Sequence, residues 1–70
     1  MAFVCPGKSS WPELLGANVK AAAALIEKQN SNVNAIVLKE GSPVPLDFRC
    51  DRVWVVVNEC GVVVQVPTIG

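Results

Sequence analysis

The sequence predicts an α+β domain, with a single helix packed on a small mixed parallel and antiparallel sheet and one long exposed loop. Three observations carry this expectation. An apolar stripe with helical spacing begins just after Asn18. Three short apolar runs rich in β-branched residues follow it. Between the first and second of these runs lie roughly a dozen residues, the length a parallel crossover needs.

The helix comes first. Val19, Ala22, Ala23 and Ile26 recur at the spacing of one helical face, with Lys20, Glu27 and Lys28 off it. Asn18 is a strong N-cap candidate, and the alanine run has high helix propensity. The turn-like "NSNVN" places the end near Gln29 and Asn30. Ahead of the helix, Pro12 biases Trp11 away from helical backbone, so "SSWPELLG" reads as an extended or turn-like opening.

The strands come next. "NAIVLKE" is a short apolar run with polar neighbours, consistent with a buried strand. "RVWVVVN" and "GVVVQVP" are separated by "ECG", which reads as a hairpin with Gly61 supplying the unusual φ. Ile36–Leu38 is expected to lie parallel to Val53–Val57.

Bulk properties exclude several classes of function. Seventy residues fit one domain spanning 1–70, and about half of them are apolar, enough for a core. Six basic and six acidic residues cancel. No run of like charge marks a nucleic-acid surface, and no basic amphipathic helix marks a membrane partner. The longest apolar stretches fall far short of a membrane span. No secretory signal is visible at the N-terminus, which leaves cytoplasmic, vacuolar and extracellular locations open. Three cysteines without a histidine do not make a zinc site, and a catalytic thiol lacks its usual base. No cofactor is implied, and an enzyme is disfavoured. An odd cysteine count suggests one disulfide and one spare thiol.

The connection carries the chemistry that is left. Pro43 and Pro45 fix their own φ and disfavour helix in the residue before them, so Ser42–Leu46 is held extended. Val44 and Leu46 are then presented at little entropic cost on binding. Extended backbone is what a protease cleft grips, by strand addition and side-chain pockets. On the residues alone two readings stand: a crossover stiffened for stability, or a binding segment.

The motifs favour the second. "WPEL.G" near the N-terminus, "KEGSPV" leading into the loop, "LD.R..RV" across it and "VPTIG" at the end resemble the potato inhibitor I family of serine-protease inhibitors. The resemblance runs in order from Cys5 to Gly70. It implies a substrate-like reactive-site loop whose scissile bond is Leu46–Asp47. Leu46 would fill the primary specificity pocket of chymotrypsin-like, subtilisin-like or elastase-like enzymes, and would not suit trypsin. Pro43, Val44 and Pro45 would occupy the neighbouring subsites, with Asp47 and Phe48 on the leaving side. The implied setting is plant defence or the response to wounding.

The resemblance also implies a polar brace, in which arginines behind the loop bond to acceptors beside the scissile bond and to the C-terminal carboxylate. Arg52 matches one such arginine, and Asp47 and Gly70 match acceptors. Trp54 stands where many members carry a second arginine, and Pro45 where a threonine often accepts a bond. Arg49 or Arg52, together with stacking on Trp54, is expected to supply part of the support, and proline rigidity the rest. A non-inhibitory interaction module on the same fold is the alternative.

Cys5 and Cys50 match a pair that some plant members join. That disulfide would tie the C-terminal stem of the loop to the N-terminal segment, a closure worth about 4 kcal/mol on the chain-entropy model. Cys60 falls in the expected hairpin turn, as an incidental thiol or as a handle for a disulfide dimer of a chain otherwise expected to be monomeric.

Overall fold

A computed structural model describes residue 5, residues 7–45 and residues 47–70. A short 3-10 turn at Pro12–Leu14 precedes the single helix α1, Val19–Gln29. Asn18 caps it in extended backbone, its side-chain oxygen accepting the N–H of Lys20 at 2.9 Å. Ala22 and Ile26 are fully buried, and Val19, Ala23 and Leu25 are half-buried. The helical face read from the spacing is the face that packs. Asn30 closes the helix with its N–H on the Ile26 carbonyl.

Strands β1 (Asn34–Lys39), β2 (Arg52–Val57) and β3 (Thr68–Ile69) form one sheet in the order β1-β2-β3. β1 and β2 are parallel, with Ile36 beside Trp54 and Leu38 beside Val56. β3 runs antiparallel to β2, with Val53 beside Ile69. Alternation along β2 sorts its side chains onto two faces. Val53, Val55 and Val57 join Ala22, Ile26, Trp11, Leu14, Val33 and Val63 in the core. Arg52, Trp54 and Val56 point to the other face, away from the core. The expected α+β architecture with a mixed sheet is therefore present.

Two expectations for the strands need correction. The run "NAIVLKE" does form β1, but it is not buried: Ile36 is 37% and Val37 47% exposed. β1 is an edge strand, and one helix covers only part of one face of the sheet. An apolar run reports a strand without reporting what covers it.

The stretch "GVVVQVP" makes the expected turn but no regular strand. Gly61 adopts φ +74°, as the hairpin requires, and its N–H bonds the Asn58 carbonyl at 3.0 Å. Beyond it only single bridges form, Val57 to Val63 and Asn18 to Val62. Val63 gives its N–H to Ala17 and its carbonyl to Gly16, so its main chain bonds the segment before the helix. Pro67 then has no N–H with which to extend a ladder. The partner of β2 is instead the two-residue β3, flanked by a bridge between Ser10 and Thr68.

Candidate functional site

The connection from β1 to β2 leaves the sheet at Glu40, whose N–H bonds the Val57 carbonyl at 2.8 Å. The Ser42 N–H then turns back onto the Lys39 carbonyl at 3.1 Å. Ser42, Pro43, Val44 and Pro45 are exposed and carry no regular secondary structure. Leu46 lies outside the described residues. On the return limb Asp47, Phe48 and Arg49 are also exposed. Val44 and Phe48, 48% and 53% exposed, put two large apolar side chains on the loop surface. No helix of the described residues is long and apolar enough to cross a membrane.

Arg52, the first residue of β2, organises the return limb. Its Nε donates to the main-chain oxygen of Gly70 at 2.9 Å. Its Nη2 donates to the main-chain oxygen of Asp47, also at 2.9 Å, and lies 3.4 Å from Asp47 Oδ1. One rigid guanidinium fork thus joins the loop to the end of the sheet. The side chain is 13% exposed and the Asp47 side chain 57%, so the arginine is the fixed member of the pair. The guanidinium carbon stands 4.4 Å from the centre of the Trp54 ring, two residues along the same face of β2. Trp54 also approaches Gly70, where an added Cβ would lie 3.4 Å from its ring.

Arg49 acts differently. Its main-chain N–H bonds the Gly70 oxygen at 3.1 Å. Its guanidinium takes Asp51 in a two-pronged contact, Nε to Oδ1 at 2.9 Å and Nη2 to Oδ2 at 2.8 Å. The hydrogen bond from Arg49 holds the Asp51 carboxyl below its ordinary value, and that carboxyl raises the arginine in turn. Of the two arginines named as candidate supports, Arg52 has its side chain on the loop main chain. Asp51 was not singled out in the sequence, although an arginine and an aspartate two apart on extended chain share a side.

The stem is also tied covalently. Cys5 and Cys50 form a disulfide, with their Cα atoms 5.2 Å apart. Cys60 is a free, exposed thiol in the turn after β2. Among the described residues no cluster of Cys, Asp and Glu side chains is suited to a metal ion.

The model described as the potato inhibitor I family matches residues 4–70. This chain belongs to that family. A proteinase inhibitor of Linum usitatissimum is 63% identical over 65 residues, covering 93% of this chain and 94% of the relative. An inhibitor of trypsin and Hageman factor from Cucurbita maxima is 58% identical over 66 residues, 94% of this chain and 97% of that one. The crystal structure of bitter gourd trypsin inhibitor superposes with a TM-score of 0.93 at 53% identity, covering 97% of this chain and all of that one. As a potato inhibitor I protein, the chain is a protease inhibitor and is not itself an enzyme.

Proposed function

We propose that this protein inhibits chymotrypsin-like, subtilisin-like and elastase-like serine proteases by presenting residues 43–48 as a substrate, with Leu46–Asp47 as the attacked bond. The observation that carries this reading is the hold of Arg52 on Asp47 and Gly70. When the enzyme's serine attacks the Leu46 carbonyl, the leaving amine is that of Asp47. An inhibitor differs from a substrate in that this amine stays in place and reseals the bond before water enters. Arg52 holds the carbonyl of the same residue, and the Cys5–Cys50 bridge fixes the chain three residues further on. Pro43 and Pro45 stiffen the opposite limb. Arg49, Trp54 and Gly70 complete the support, and Val44 and Phe48 are available as flanking contacts.

Leucine sets the preference. An apolar branched group suits a hydrophobic primary pocket, whereas trypsin's buried aspartate wants a cation. The Cucurbita and bitter gourd relatives are named for trypsin, so this chain would differ from them in target. The relatives are plant proteins, which supports a role in plant defence or the response to wounding. Titration against chymotrypsin, subtilisin and trypsin, with Leu46→Arg alongside, tests the reading. Tight inhibition of the first two, transferred to trypsin by the substitution, is the expected result. Rapid cleavage after Leu46, or no inhibition of any of them, would leave a non-inhibitory module on this fold.

A further inference from the structure

We propose that Asn30 is a positioning residue for the disulfide: through Lys8 and Gly7 it holds the N-terminal arm so that Cys5 meets Cys50. Asn30 is the one buried polar side chain among the described residues, 3% exposed, at the end of α1. Its Oδ1 accepts the N–H of Asn32 at 3.0 Å, and its Nδ2 donates to the Lys8 carbonyl at 3.0 Å. These partners fix the orientation of the amide, because an N–H meets only the oxygen and a carbonyl meets only the NH2. The oxygen serves the turn after the helix, and the nitrogen serves the arm.

Gly7 lies flat over the same amide. An added Cβ would stand 2.8 Å from Asn30 Nδ2 and 2.9 Å from its Cγ, and φ is +80°. A side chain at position 7 therefore lifts the arm from Asn30 on two counts. Further along, the Ser9 carbonyl accepts the Ile69 N–H, and the Trp11 N–H bonds the Pro67 carbonyl. Lys8 contacts Glu13 and Gln29. Among the described residues the arm is docked from Trp11 back to Gly7, close to Cys5. Without the Asn30 contact the tether to Cys5 lengthens, and the two sulfurs are less often in reach of each other.

The arm contact should count for more in the oxidised protein, where the bridge holds the arm down, than in the dithiol, where a weakened arm can leave. That difference is what an experiment can read. The oxidised full chain is equilibrated with dithiothreitol. The Cys5–Cys50 bond breaks, each sulfur takes up a proton, and dithiothreitol becomes its cyclic disulfide. Alkylation and mass measurement then give the ratio of disulfide to dithiol. Asn30→Asp keeps an acceptor for Asn32 and sets an oxygen against the Lys8 carbonyl. Gly7→Ala disturbs the same contact from the arm's side and leaves the Asn30 side chain itself unchanged. Each is expected to move the ratio about tenfold toward the dithiol, the scale of one buried hydrogen bond lost. Ile26→Ala, which weakens the core but keeps the Asn30–Lys8 contact, should leave the ratio unchanged. The proposal is overturned if Asn30→Asp and Gly7→Ala lower resistance to urea as Ile26→Ala does while the ratio stays at its parent value. That the tethered stem belongs to a protease-binding loop rests on the function proposed above. The thiol ratio is read without protease, so the two ideas fail separately.

Discussion

The Arg52 guanidinium lies over the ring of Trp54, 4.4 Å from its centre, while its two prongs reach Asp47 and Gly70. The ring backs the guanidinium while the two acceptors hold its prongs. The tryptophan thus supports the side chain that holds Asp47, one step behind the return limb.

Replacing Arg52 by Ala removes both bonds. Hydrogen bonds to charged groups contribute about 1.5–3 kcal/mol. A rise of about ten- to a hundredfold in the inhibition constant for subtilisin is expected, together with faster cleavage after Leu46. Arg52→Lys should recover little, since an ammonium cannot span two acceptors as the fork does. An inhibition constant unchanged by either substitution would remove Arg52 from the mechanism.

Trp54→Ala tests the layer beneath. A cation–π contact contributes about 0.5–2 kcal/mol, so a loss of about two- to thirtyfold in inhibition is expected. Trp54→Phe should keep most of the effect. Combined with Arg52→Ala, Trp54→Ala should cost less than it does alone, because the ring then has no guanidinium to hold.

The disulfide closes a span of 45 residues. Cys5→Ser with Cys50→Ser should lower unfolding free energy by about 4 kcal/mol at most, read as a shift of the urea midpoint. Inhibition should weaken but persist, since Arg52 and the main-chain bond from Arg49 to Gly70 remain.

Acid sensitivity follows from two exposed pairs. The hydrogen bond from Lys8 lowers the Glu13 carboxyl from its ordinary 4.5, and that from Arg49 lowers the Asp51 carboxyl from 3.8. A carboxyl depressed in the folded state contributes stability above its unfolded value and loses it as pH falls through the folded one. Thermal unfolding should therefore hold steady from neutral pH into the weakly acidic range and decline below the ordinary carboxylate values. Glu13→Gln with Asp51→Asn should shrink that decline. The effect should be small, since both pairs are exposed to solvent.

Helix α1 was legible in the sequence because its determinants are local: a cap at Asn18, an apolar stripe and a turn after Gln29. The parallel pairing of β1 with β2 followed from the length of the connection. The exposure of Ile36 and Val37 did not, because strand pattern is silent on which layer lies above it. Nor did the diversion of Val63 to Gly16 and Ala17, a matter of tertiary competition for main-chain bonds. At the site, Arg52, Asp47, Gly70 and the Cys5–Cys50 pair were marked by motif resemblance. The Asn30–Lys8 contact joins residues 22 apart with no periodicity to betray it.

The position of β1 at the rim of the sheet bears on how molecules of this protein meet one another. Asn34 and Glu40 turn their amides toward the return limb and β2, so the odd-numbered residues between them turn theirs outward. Such a row is a template on which a second molecule can add a strand and begin an aggregate. Glu27 reaches across from α1 and takes the outward N–H of Ala35 on its carboxylate at 3.0 Å. An incoming strand finds that place filled by a negative charge, and further along Lys39 adds a positive one. A rim so guarded resists sheet-to-sheet growth even where molecules of this protein are crowded together.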